Sequence, residues 1–440
     1  MVTLLLLLPL LKTHLSQSKT EADVVVIGSG IAGLCCAGLL SKYQQDALVL
    51  ESHSLPGGAA HSFEKKGYKF DSGPSLFSGF QSRGPQANPL AQVLDALGES
   101  IPCVNYDSWM VYLPEGDFLS RIGPTKIFKK YASLDVGREW RKLLDAILPM
   151  SAAAMALPPL SIQEMPGSSL EYPIHGTGVV VDALVCGLQK FGGRISFKSH
   201  VENIVVENGR AVGVKLRSGQ FVRAKKAVVS NASMRDTLDL LPKEVIPKSY
   251  QDRIKMTPQC ESFMHLHLGF DAEERGVNAD QNVVLISIPS VLSPDLASPG
   301  KHVLHAYMPG TEPFGLWEDL IVKVLNTKNS KQKDLRVLWR AVERAVGPGF
   351  DREKCEVKLV GTPLTHRRFL WRNRGSYGPA IQAGKGTFPG HSTLIPQLYC
   401  CGDSTFPGIE VPAVAASGAI VANSLVSVSQ HSELLDAVGI

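Results

Sequence analysis

The stretch Ala22-Asp-Val-Val-Val-Ile-Gly28-Ser-Gly30-Ile-Ala-Gly33, closed some fifteen residues later by Leu48-Val-Leu50-Glu51, decides the fold. Val24 to Ile27 form a short β-branched run, suited to a strand buried on both faces. The three glycines have separate duties. Gly28 makes a tight turn, Gly30 lets backbone approach a pyrophosphate, and Gly33 lets the next helix pack close to the sheet. The helix over Ile31 to Leu40 presents free N–H groups at Ile31 and Ala32, where its dipole favours anions. Glu51, with Ser52 beside it, stands where a ribose would offer its hydroxyls. GxGxxG alone is weak evidence. With strand, apolar helix and acid all in place, the pattern predicts a dinucleotide site.

A second glycine turn, Pro56-Gly57-Gly58-Ala59-Ala-His61, follows closely and leaves room for a flat ligand. Further on, Phe63 to Phe70 and Tyr106 to Leu119 read as hairpins. Gln92 to Leu97 and Val179 to Lys190 read as helices. Ile195 to Ala224 reads as a run of short strands, the first Ile195 to Phe197. Asn208-Gly209 and Ser218-Gly219 are its turns. Ala227 to Ala232, which includes Asn231, reads as a separate return strand to the nucleotide sheet. Near the C-terminus, strand-like Leu398 to Cys401 leads into Gly402-Asp403, then Pro407 to Ala413, then a helix over Ala415 to Val426. Asp403 suits a sugar-alcohol hydroxyl. The segment through Glu410, Val411 and Ala413 places a helix start beside it. A cofactor needing pieces from both chain ends is long and extended, which favours FAD over NAD.

The remaining features bound the function by exclusion. At 440 residues, with 44% hydrophobic and 20% charged, the chain has an ordinary globular composition. A net charge of +4 does not argue for nucleic acid. Eight cysteines form no CxxC pair and suit a reducing compartment. His265 and His267 alternate on one strand face, yet no third histidine or carboxylate stands at matching spacing, so no metal is expected. Leu143 to Leu160 is very apolar but broken by prolines. It reads as a core helix or as an element dipping into a membrane or lining a lipid tunnel. Thr365 to Arg374 is basic with Phe369 and Trp371 interleaved, which reads as a solvated loop or a surface for anionic membrane. Residues 1–21 read as a leader or truncated transit segment.

On these residues the chain resembles the carotenoid isomerase and phytoene desaturase group of flavoproteins, from Ala22 to Ile440. The resemblance is strongest at Gly28 to His61, at Gly361-Thr-Pro-Leu-Thr-His366, and from Tyr377 onward. It implies a doubly wound α/β FAD-binding domain of glutathione-reductase and amine-oxidase type, built from residues 22–80, 190–235 and 390–427. It also implies a discontinuous α+β substrate domain from 81–189 and 236–389, with 428–440 as a C-terminal tail. The ADP part of FAD would lie on Gly28, Gly30, Gly33, Glu51 and Gly57-Gly58, and the Val201 strand would flank the adenine. Gly402-Asp403 and the loop through Val411 would approach the ribityl chain and ring. The implied activity is cis–trans isomerisation of a carotenoid, or related polyene redox chemistry, in a plastid and with peripheral membrane contact. No dedicated catalytic set is required, and His61 and Glu410 are the candidate proton handlers. Two departures stand out. Glu410 replaces the glycine usual after Ile409 in this family, and the link between Leu160 and Tyr172 is shorter. An amine-oxidase-like enzyme and an inactive FAD-binding scaffold are the alternatives.

Overall fold

The computed structural model describes residues 20–84, 87–113, 116–121, 170–271, 284–312, 328–381 and 388–439, with single positions between 135 and 146 and at 314, 315, 317 and 386. The leader, most of the apolar stretch 143–160 and the short link 161–169 lie outside the described residues.

Val24 and Val26 bury toward one side of the first strand, Glu21–Ile27, and Val25 and Ile27 toward the other. That double burial makes it the centre of a seven-stranded sheet. Ala47–Leu50 lies parallel on one side and Arg194–Ser196 beyond it, while Phe221–Ser230 lies parallel on the other side. One face is covered by the helices Ile31–Lys42, Pro89–Leu97, Gly178–Lys190 and Val411–Ser424. The antiparallel strands Val201–Glu207 and Arg210–Leu216 extend the sheet, and the short strand Leu398–Cys400 pairs in parallel with Val228–Ser230.

Three sequence expectations are corrected. The segments expected as two strands, Phe221 to Ala224 and Ala227 to Ala232, form one strand, Phe221–Ser230. Its first half pairs antiparallel with the meander and its second half parallel with the nucleotide strands. Exposed Lys225 and Lys226 look like a break in sequence, but they fall where a bulge between Ala22 and Val24 shifts the register. The last nucleotide helix begins at Val411 rather than Ala415. Pro412 fits its first turn because no N–H is needed there. The expected tail contains a further helix, Val428–Val438, capped reciprocally by Ser427 and Gln430. Its Leu434 joins the core and its His431 Nδ1 meets the Tyr43 hydroxyl at 3.0 Å.

A second sheet orders Leu285–Ser287, Lys301–Glu312, Ser262–Asp271 and Val357–Gly361, all antiparallel. Met264, Leu266, Leu268, Leu304, Ala306 and Met308 fill one of its faces, against Trp317, Leu338 and Val342. The opposite face carries histidines.

Candidate FAD site

The site begins as backbone held close to backbone. Gly28 has φ +90°, in the left-handed region that favours glycine. A Cβ on Gly33 would stand 2.3 Å from the Gly28 carbonyl oxygen, so no larger residue keeps the helix against the turn. The second glycine turn folds onto the first: the Gly57 N–H donates to the Ser29 carbonyl at 2.9 Å. A Cβ on Gly58 would come within 3.3 Å of Gly30 Cα. Gly58 and Ala59 continue as a short 3-10 turn. The result is a cradle whose walls are peptide groups, with the start of the helix Ile31–Lys42 at its base.

Asn231 is the pivot of this cradle. Its N–H donates to the Ile27 carbonyl at 2.9 Å. A Cβ on Gly30 would lie 2.7 Å from its Nδ2, and one on Gly402 would lie 2.9 Å from its Oδ1. The N-terminal and C-terminal glycine turns therefore meet on one side chain. Gly402 is further fixed by its N–H, which donates to Ser417 Oγ at 3.0 Å.

Glu51 is buried beside the first turn. Its Oε2 accepts from the Ser29 N–H at 2.9 Å and from the Ser29 hydroxyl, and its Oε1 accepts from the His53 N–H at 2.7 Å. A carboxylate has about four lone-pair sites, so capacity remains for a ribose hydroxyl. The Ser52 hydroxyl is hydrogen-bonded to His200 Nδ1 at 2.8 Å. The Val201 side chain is buried in the sheet core. Only the backbone at the start of its strand can flank a ligand, and that start is drawn to Glu51 by the Ser199 N–H donating to the Glu51 carbonyl.

The basic segment after Gly361 contributes here in ways its composition did not foretell. Arg372, expected in a solvated loop, is half-buried or more and pairs with buried Asp403. Trp371 lies against His200 with ring centroids 4.6 Å apart, and the Arg217 guanidinium stands 5.1 Å from its ring. Phe369 meets His53 edge-on at 6.1 Å. These aromatic rings border the Glu51 end of the cradle.

Glu410 occupies φ +89°, ψ +154°, a backbone region that is essentially glycine-only. This gives a physical reason for the glycine usual at this place. Its side chain is exposed, and its charge helps burial raise the Tyr307 hydroxyl above the ordinary tyrosine range, burial being the larger cause. Val411 opens the helix and Ala413 is fully buried under it. His61 Nδ1 donates to the Gly58 carbonyl at 2.7 Å and also lies 3.0 Å from Ser72 Oγ. Burial is the largest cause lowering its pKa, and through the Gly58 carbonyl its ring braces the second glycine turn.

The sequence reading missed a third histidine. His305 comes from the neighbouring strand and lies directly opposite His267 in register. Strand pairing, which a one-dimensional spacing rule does not contain, brings it there.

The cradle fits FAD by its donor set. It offers free peptide N–H groups for a pyrophosphate, a buried acid for a ribose, and a second glycine-acid turn at the far end. A family model described as "NAD(P)-binding Rossmann-like domain" matches residues 26–97, and one described as "Flavin containing amine oxidoreductase" matches residues 138–426. The chain is similar to the chloroplastic prolycopene isomerase of Daucus carota, 30% identical over 513 residues, covering 95% of this chain and 82% of that one. It is similar likewise to the Arabidopsis thaliana prolycopene isomerase, 29% identical over 510 residues, covering 94% and 84%. Those alignments are longer than the whole 440-residue chain, so these relatives carry segments that it lacks. Among solved structures, an oxidoreductase from Methanosarcina mazei superposes with a TM-score of 0.65 at 21% identity, covering 92% of this chain and 100% of that one. At that identity the likeness speaks for the fold.

Proposed function

Because the chain belongs to the flavin containing amine oxidoreductase family, we propose that it is an FAD-dependent carotenoid isomerase of the prolycopene type, or a closely related polyene oxidoreductase. The observation that carries this reading is similarity along 94–95% of the chain to enzymes named for prolycopene isomerisation. The amine-oxidase reading rests on the broader family name and has no comparable substrate-level support.

In this reading Ile31 and Ala32 N–H groups receive the pyrophosphate at the helix start. A charge so placed gains about 0.3–1 kcal/mol at an exposed end and more when partly buried. Glu51 binds the adenosine ribose, with Ser52 and the start of the Val201 strand toward the adenine. Gly402, Asp403, Val411 and Ala413 flank the ribityl chain and ring. Bound FAD supplies electron-pair chemistry that a conjugated chain needs either to lose hydride or to weaken a double bond. The protein's share is to bind, orient and exclude water. Asp403 is held in place by Arg372 and the glycine turn by His61. His61 is thus a positioning residue, and the exposed Glu410 is the carboxyl that this reading places at the ring end in contact with solvent.

The direct test is to load the purified protein with FAD and offer a poly-cis carotenoid in vesicles under anaerobic reducing conditions. Chromatography should show a shift toward trans isomers without change in hydrogen count. Stoichiometric FAD with no isomerisation, desaturation or saturation would overturn the reading. A scaffold role would then lead, which the glycine-only backbone at Glu410 and the segments missing relative to the relatives favour.

The reading extends to plastid residence and to peripheral contact with an anionic membrane. The plastid part draws on the relatives' chloroplastic names. The contact draws on Phe369 and Trp371, each about half exposed beside Arg367 and Arg368. Among the described residues no helix is long and apolar enough to cross a membrane. Co-sedimentation with anionic vesicles that Phe369→Ser and Trp371→Ser together leave unchanged would remove this surface from the proposal.

A further inference from the structure

The polar face of the second sheet presents an unusual group. His265 and His267 on the strand Ser262–Asp271 and His305 on the strand Lys301–Glu312 are each at most 6% exposed. One ligand-capable atom of each lies within 4.8 Å of the others. His366, from the helix Pro363–Leu370, packs 4.9 Å from His265 between ring centroids and is also buried.

The hydrogen-bond account of these rings does not close. His265 Nδ1 and His305 Nε2 are 2.6 Å apart, so one proton is shared between them. The outer nitrogens, His265 Nε2 and His305 Nδ1, have no partner among the described residues. Whichever ring donates, a neutral pair must leave one N–H and one lone pair unsatisfied. His366 Nε2 is buried and unpartnered as well. Leaving such a group buried and unpaired costs about 1–3 kcal/mol, and native interiors hold few of them. An apolar wall at these positions would avoid that cost.

The fixed partners point the same way. His267 Nε2 lies 2.9 Å from the Asp71 carbonyl, so its proton is held there and its Nδ1 lone pair is left for another ligand. A histidine that anchors one N–H on a backbone carbonyl and offers the other nitrogen is the usual arrangement of a metal-bound imidazole. The His366 Nδ1 is likewise tied, to the Tyr377 hydroxyl at 2.8 Å.

We propose that His265, His267 and His305 bind a first-row divalent transition metal ion on the buried polar face of the second sheet, with His366 as a neighbouring fourth imidazole. Three neutral imidazoles suit zinc, copper, iron or nickel and not calcium or magnesium, which need oxygen ligands. Metal–nitrogen bonds of about 2.0–2.1 Å put ligand nitrogens roughly 3.4 Å from one another. The His265 and His305 nitrogens, 2.6 Å apart, would therefore separate to admit the ion, while the three ligand atoms, all within 4.8 Å of one another, gather about it. The ion would take the inner nitrogens of His265 and His305, which now share one proton, and each ring would then carry its N–H on the outer nitrogen. A three-histidine set leaves an open coordination position. This inference stands apart from the isomerase reading, because the rings are held by the second sheet and not by the glycine cradle.

The test uses the full chain as purified, with any affinity tag removed and no chelator present. Elemental analysis of the holoprotein should return about one equivalent of transition metal per chain, as expected of a preformed histidine site. After removal of the metal, cobalt(II) chloride should restore a visible ligand-field spectrum and zinc chloride should raise Tm. In His305→Leu and His267→Leu both responses should be lost, while the metal-free variants keep a cooperative melt and the parent's far-UV circular dichroism. That last readout separates a lost ligand from a lost fold. Full metal content in both variants, or no response of the parent to cobalt or zinc with FAD present or absent, would overturn the proposal. The outcome does not depend on whether any carotenoid is turned over.

Discussion

The glycine cradle and the histidine face show two opposite ways of preparing a site. The cradle is made by leaving side chains out: Gly33 keeps only 2.3 Å between an added Cβ and the Gly28 carbonyl, and Asn231 fits between Gly30 and Gly402. The histidine face is made by putting polar side chains where a sheet would ordinarily bury apolar ones. Removing polar atoms therefore has opposite consequences in the two places. In the cradle they are satisfied, and removal strands their partners. On the histidine face several are unsatisfied, and removal relieves a cost.

The sharpest way to break this contrast is Gly33→Val. With backbone as the clashing neighbour, it should cost about 3 kcal/mol and cut FAD binding at least tenfold, read from the flavin absorbance ratio and Tm. Wild-type flavin content in this variant would mean the helix does not sit on the turn as described. Glu51→Leu comes next. It leaves the Ser29 N–H and hydroxyl without their acceptor and should lower stability by about 2–3 kcal/mol in a urea titration, besides weakening FAD. A neutral result would erase the distinction between the regions.

Glu410→Gly should stabilise by about 1–2 kcal/mol, since glycine adopts φ +89°, ψ +154° freely. Glu410→Ala, which removes the charge but keeps the Cβ, should show no such gain. Equal gains from both would assign the effect to charge. The smallest effect is expected from His265→Leu combined with His305→Leu in metal-free protein. It should be neutral or stabilising by about 1 kcal/mol in the same urea titration. A large loss would show that these imidazoles have partners after all.

The two regions also differ in how far sequence alone revealed them. Gly28, Gly30, Gly33 and Glu51 are near neighbours along the chain, and their spacing carries their geometry. Gly402-Asp403 was legible for the same reason, as a strand followed by a turn and a helix. The His267–His305 pairing was not, because register between strands 38 residues apart is set by turns and packing that no local pattern records. Arg372 was misread as a solvated residue because its partner, Asp403, is 31 positions away. The double use of Phe221–Ser230 was hidden by two exposed lysines in its middle. Glu410 was flagged by resemblance alone, and its backbone conformation supplied the reason.

The strand Phe221–Ser230 has a consequence for the order in which the protein is made. Its parallel half lies between the strands Glu21–Ile27 and Leu398–Cys400, so Asn231, at its end, waits for two strands that are far apart in sequence. The helix Val411–Ser424 then locks in, with Gly418 so close to Ala32 that an added Cβ would stand 2.2 Å from its carbonyl oxygen. On the ribosome, the first glycine turn can meet the second early, yet the Gly402 side of Asn231 stays open until Leu398–Cys400 and Val411–Ser424 have emerged. Contacts of such long sequence separation form slowly. The nucleotide sheet thus stays unfinished until a strand made long after its first one takes its place beside Phe221–Ser230.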